Sequence, residues 1–191
     1  MRRLAALALL LTLTVACDNS TTTTPPPTTT STTTPRTTPN SPQAPRVPTP
    51  LDATEFAAAP CRSLTDPQQK QFALNPGRTS GVAQEGNTCL YEYINGTAGS
   101  VAVVYAVKVP TGLSSRYAEK AAGRWPHWQV LDMNGYPAVA YAVPAGECNV
   151  AVGITDTLYF WVTAGDKPGA AKCSTSQDVA SAVLSTLRTG H

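Results

Sequence analysis

The chain has 191 residues, 14 Lys+Arg against 12 Asp+Glu, 42% hydrophobic residues and 14% charged ones. That length holds one or two domains, and the charge lies well below the usual quarter. Nine of the 17 prolines fall between residues 25 and 50. What is left has ordinary globular composition, which excludes a multi-pass membrane protein, a coiled coil and a fully disordered chain.

Arg2 and Arg3 precede an apolar run, Leu4 to Ala16. Spanning a bilayer takes roughly 20 apolar residues, so this run is too short to cross and suits the apolar part of a signal peptide, residues 1–16. It ends in Leu13-Thr14-Val15-Ala16-Cys17. Small residues before one cysteine resemble a bacterial lipobox, although Thr14 stands where Leu is usual. In such signals the cysteine receives diacylglycerol and palmitate and becomes the mature N-terminus. Ordinary secretion with an unused Cys17 thiol is the alternative. Two or more acyl chains hold a protein stably at a membrane, so the expected location is the outer face of the cell membrane, through a lipid anchor at Cys17.

Residues 18 to 50 are Thr, Pro or Ser at 25 of 33 positions. Such a segment buries too little to offset its ordering entropy, and its prolines favour an extended form rising about 3.1 Å per residue. Residues 17–54 are therefore read as a lipidated Cys17 followed by a disordered stalk. Thr/Ser runs with Pro are also the composition of O-glycosylated stalks; a bare linker is the other reading. From Leu51 onward, 10 Lys+Arg balance 11 Asp+Glu without a basic run. Phosphate backbones need clustered cations, so nucleic acid is not an expected partner.

Residues 55–191 are read as one globular domain. Thr65-Asp66-Pro67-Gln68 is a capping box with Pro in the first turn, opening a short helix to about Leu74. Cys89 to Ile94 and Ser100 to Val109 read as strands about an Asn95-Gly96 turn. Asn95-Gly96-Thr97 also matches a glycosylation sequon, but Asn-Gly reads better as a turn. Ser114 to Ala122 reads as a helix closed by Gly123. Trp128 to Met133 and Ala138 to Val143 form a hairpin about Asn134-Gly135. Cys148 to Ile154 and Leu158 to Ala164 form another about Asp156. Ser174 and Gln177 suggest a second capping box, and Ala180, Val183, Leu184 and Leu187 fall on one helical face. The expectation is an α+β fold: an antiparallel sheet of five to six strands, three helices covering one face, and two disulfides.

Four cysteines remain after Cys17, an even count in an exported chain, which argues for two disulfides. The hairpin about Asp156 returns Ala164 beside Cys148, and Cys173, nine residues on, can reach back to Cys148. By elimination Cys61 meets Cys89. Neither a C-x-x-C motif nor a nearby His favours a metal site, and no cofactor motif is present.

Pro60-Cys61-Arg62-Ser63-Leu64-Thr65-Asp66-Pro67-Gln68, the Cys89, Cys148 and Cys173 segments, the lipobox and the stalk together resemble actinobacterial cell-envelope lipoproteins with domain of unknown function 3558. Tyr91 departs from a Trp frequent in that family. The resemblance implies an envelope lipoprotein and supplies no catalytic residue.

Catalysis has little to point to. His127 is the only internal histidine, and no nucleophile motif accompanies it. Glu85, Glu92, Asp132, Glu147 and Asp156 are scattered. The aromatic residues say more: Trp125, Trp128, Tyr136, Tyr141, Tyr159, Phe160 and Trp161 cluster in the last third, and Trp125, Trp128, Tyr159, Phe160 and Trp161 are the binding candidates. Side chains alternate along a strand, so Tyr159-Phe160-Trp161 must face both sides of the sheet. With the helices on one face, the expected arrangement, one set is exposed and available for binding; helices on both faces would instead cover it with a second layer. The expected function is a non-enzymatic module holding an envelope protein, a wall polymer or a lipid; a small envelope hydrolase is the alternative.

Overall fold

The computed structural model describes residues 42–94, 99–142, 147–165 and 173–190, with the side chains of Val82 and Ala83 excepted. The signal segment, Cys17, the stalk up to residue 41 and the Asn95-Gly96 turn lie outside the described residues.

The helices are α1 (Thr54–Ala58), α2 (Asp66–Gln71), α3 (Ser114–Ala121) and α4 (Ser174–Thr189), with one 3-10 turn at Pro60–Ser63. The strands are β1 (Arg78–Ala83), β2 (Gly86–Glu92), β3 (Ser100–Tyr105), β4 (His127–Met133), β5 (Tyr136–Ala142), β6 (Cys148–Gly153) and β7 (Tyr159–Ala164). All seven form one sheet in the order β1-β2-β3-β7-β6-β5-β4, and every neighbouring pair is antiparallel. Five to six strands and three helices were expected. The additional strand is β1, whose sequence Arg-Thr-Ser-Gly-Val-Ala carries no apolar alternation because it lies at an edge. The additional helix is α1, five residues long.

The larger correction concerns the layers. β3 and β4 lie four places apart in the sheet, so the chain between them must cross one face over β7, β6 and β5. α3 lies on that crossing. Its Tyr117, and Leu113 just before it, pack with Val139, Tyr141, Ala151, Tyr159 and Trp161. α4, α1 and the 3-10 turn share the opposite face with Tyr105, Val150, Phe160 and Val162. The helices therefore cover both faces, which is why β5 and β7 are apolar on both sides. We call the α4 side the first face and the α3 side the second.

On the first face, Val179, Ala180, Val183, Leu184 and Leu187 of α4 are buried and contribute a continuous stripe. α4 ends at Gly190 in the left-handed region, φ 71°, the usual helix stop. It starts differently from expectation. Cys173, bridged to Cys148, takes the cap position at φ 60°, so Ser174 is already helical and makes no capping box with Gln177. The Thr65–Gln68 box is present. Gln68 also donates to the Ala182 carbonyl and accepts from Thr186, fastening α2 to α4.

The packed region starts before residue 55. Val47 and Ala53 are buried, Leu51 N–H donates to Ile154 O at 2.9 Å, and Val47 N–H donates to Asp156 Oδ1 at 3.0 Å. The end of the Pro-rich segment is thus held on the domain by backbone groups that flanking prolines leave free. The two disulfides join Cys61 to Cys89 and Cys148 to Cys173.

Candidate binding face

The second face is built around one inward-pointing arginine. In α3, Arg116 and Tyr117 lie three and four residues after Leu113, so all three project toward the sheet. Arg116 keeps only 6% of its side-chain exposure. A buried guanidinium requires partners for its donors, and the fold supplies them. Nε and Nη2 donate to the Tyr159 hydroxyl at 3.1 and 2.7 Å. Nη1 donates to Glu119 at 2.6 Å, and Nη2 also meets Glu85. The guanidinium carbon sits 5.5 Å from the ring centres of both Tyr141 and Tyr159.

Each carboxylate also receives an indole. Trp161 Nε1 donates to Glu85 Oε2 at 3.0 Å, and Trp125 Nε1 donates to Glu119 Oε2 at 3.2 Å. The Tyr159 hydroxyl donates in turn to Glu85 Oε2 at 3.1 Å. Glu85 is placed by the turn between β1 and β2. Its carbonyl accepts from Lys108 N–H, and the next residue, Gly86, runs so close to β3 that a Cβ there would overlap the Tyr105 carbonyl.

Burial pushes the Tyr159 phenol up to about 12, with Arg116 pulling the other way. Tyr141 is raised by burial as well, again opposed by Arg116. Both phenols therefore keep their protons over the physiological range.

The outer part of the cluster is aromatic. Trp125 lies 4.6 Å from Tyr141, and Trp128 meets Tyr117 edge to face at 5.2 Å. Trp125, Trp128 and Trp161 are each half-buried. Of the five aromatics expected to bind, Trp125, Trp128, Tyr159 and Trp161 come together here, while Phe160 points to the first face beside Tyr105. Tyr159 and Phe160 are both fully buried, so the expected split into one core set and one exposed set does not hold: α3 supplies a second layer. His127 lies exposed on β4.

Sequence reasoning missed Arg116, Glu119 and Tyr117, and counted Tyr141 among the clustered aromatics without naming it for binding. An arginine at a position that periodicity assigns to the inner face, with a glutamate three residues on, was the available signal. Of the carboxylates named from sequence, Glu85 enters the cluster, whereas Glu92 pairs with Arg78, Asp132 accepts from Gly135 N–H, and Asp156 holds Arg46 and Val47. Among the described residues no group of His, Cys, Asp and Glu is placed to hold a metal ion, and no helix is long and apolar enough to cross a membrane.

No curated protein matches the chain. A solved structure of a GTP-binding regulator from Thermotoga maritima is similar at 15% identity, with a TM-score of 0.44, over 74% of this chain and 93% of that one. The pattern of a family described as proteins of unknown function, DUF3558, matches residues 12–186, and the chain belongs to that family.

Proposed function

We propose that the protein is an extracytoplasmic lipoprotein, anchored through a lipidated Cys17, whose disulfide-bonded domain is a non-enzymatic binding module for an envelope protein, a wall polymer or a lipid. The observation that carries the reading is the rim of half-buried Trp125, Trp128 and Trp161 around a buried Arg116–Tyr159 centre. Tryptophans with one wet edge are enriched at recognition surfaces. The nearest thing to a catalytic carboxylate pair, Glu85 and Glu119, is committed to Arg116, which weighs against a hydrolase. Two disulfides fit an oxidising compartment.

Two measurements test this. Trp125→Ser should weaken capture of envelope material by the immobilised protein while the melting transition is kept; undiminished capture would overturn the binding face. Cys17→Ala should move the protein from the detergent phase to the aqueous phase on Triton partitioning; unchanged partitioning would overturn the anchor.

A further inference from the structure

The two edges of the sheet are treated differently. β1 carries a register irregularity between Ser80 and Ala83 and an Arg78–Glu92 ion pair, devices that discourage further strand pairing. β4 pairs with β5 in unbroken register from His127↔Ala142 to Met133↔Tyr136. It has no internal proline or lysine and a single carboxylate, Asp132.

The outward hydrogen-bonding groups follow from the turn. Asn134 and Gly135 both have positive φ, 55° and 87°, the two-residue hairpin geometry. Such a turn makes Met133–Tyr136 a hydrogen-bonded pair, and bonded and non-bonded pairs then alternate. Met133, Leu131, Gln129 and His127 bond to β5. Trp128, Val130 and Asp132 turn their N–H and C=O to the open edge. Their side chains share the second face, where Val130 is 57% exposed.

We infer that β4 is a self-pairing edge and that its partner is β4 of a second copy of this chain, antiparallel about a two-fold axis through Val130. In that register Val130 opposes Val130, and Trp128 opposes Asp132 twice. The complementarity is chemical as well as geometric. Trp125 and Trp161 spend their indole N–H on Glu119 and Glu85, whereas that of Trp128 has no partner among the described residues. Asp132 uses Oδ1 for Gly135 N–H, and among the described residues nothing donates to Oδ2, which can accept the opposing indole. No like charges meet. Registers displaced along the edge either lose paired strand or, toward the turn, set Asp132 against Asp132. The pairing would join both sheets and bring the two Tyr117–Trp128 contacts to one seam. It shares Trp128 with the proposed binding rim and is independent of Trp125, Trp161 and the lipid anchor.

The test is Val130→Cys in the full chain with Cys17→Ser, so that the introduced thiol is the one free thiol. Opposed strand positions lie within disulfide reach. Val107→Cys, at a 47% exposed position off the edge, measures random collision. Oxidation should link Val130→Cys into dimers at least about tenfold faster than Val107→Cys, since paired thiols sit at high effective concentration. Val130→Lys, which sets two cations face to face on the axis, should convert the dimer to monomer in sedimentation while the chain stays folded by circular dichroism, with any loss of melting temperature limited to the lost association. Equal rates for the two cysteine variants, or a chain that sediments as monomer before and after Val130→Lys, would overturn the proposal. So would a link from Val130→Cys to a different protein.

Discussion

Arg116 of α3 closes on Tyr159 of β7 through two hydrogen bonds to one phenolic oxygen, and the same oxygen donates onward to Glu85. Helix, central strand and the β1–β2 turn are therefore coupled through a single buried guanidinium. Removing one partner of a buried ion pair leaves the others uncompensated, at about 3–5 kcal/mol. Arg116→Leu should lower stability by that order in urea denaturation. Adding Glu85→Gln to Arg116→Leu should recover part of the loss, because the stranded carboxylate is gone. Additive losses in the double-mutant cycle would show that the two side chains are not coupled.

The buried tyrosines give the fold an alkaline limit. Burial pushes Tyr91 up to about 12, partly offset by a backbone hydrogen bond, and Tyr159 likewise up to about 12. In the unfolded chain a phenol titrates near 10. Below that pH both states keep the proton and stability is fully present. Between about 10 and 12 the unfolded chain releases protons that the native state retains, so stability falls as pH rises, by about 1.4 kcal/mol per pH unit for each such group. Urea midpoints measured from pH 8 to 11.5 should decline above 10, and Tyr91→Phe should make the decline shallower. A flat profile would mean that these phenols ionise freely in the folded protein.

Elements with a local signature were legible in the sequence. The Asn134-Gly135 hairpin, the apolar strands β5 to β7, the Thr65–Gln68 box and the stripe of α4 each follow from residues within one turn or one alternation. What sequence missed depends on the third dimension. β1 is polar because it is an edge, and α1 is too short for its period to register. Tyr159-Phe160-Trp161 showed that aromatics must face both sides, but not that α3 roofs the second. That follows from the strand order, which places β7 between β3 and β6 and forces the β3–β4 connection across a face. For the same reason Arg116 was not singled out: its partners Glu85 and Tyr159 are 31 and 43 residues away.

Thr88 offers a stabilising change. It is 7% exposed on β2, and its Oγ1 has no hydrogen-bond partner among the described residues. An unpaired buried hydroxyl costs about 1–3 kcal/mol, and valine has nearly the same shape. Thr88→Val should raise the melting temperature by about 3 °C if roughly 1 kcal/mol is recovered. A drop in melting temperature would mean that the hydroxyl is satisfied.

The two disulfides should not be equal in effect. Their sequence separations, 28 for Cys61–Cys89 and 25 for Cys148–Cys173, give nearly the same chain-entropy contribution, about 3.5 kcal/mol each. The native surroundings differ. Cys61 lies in the 3-10 turn and Cys89 in the middle of β2, fully buried, and the Tyr91 hydroxyl beside them donates to the Cys61 carbonyl at 3.1 Å. Losing that bridge loosens the turn and opens a gap over β2. Cys148 and Cys173 lie at the mouth of α4, where Ser176 provides a second tie: its Oγ accepts from Ala164 N–H at 3.0 Å and donates to the Cys148 carbonyl at 2.9 Å. That hydroxyl keeps α4 against the ends of β6 and β7 without the bridge. Cys61→Ala/Cys89→Ala should therefore lower the melting temperature more than Cys148→Ala/Cys173→Ala. Adding Ser176→Ala to the latter pair should remove the difference. If the two bridge deletions melt together while Ser176→Ala adds nothing, Ser176 does not hold the helix and the disulfides act through chain entropy alone.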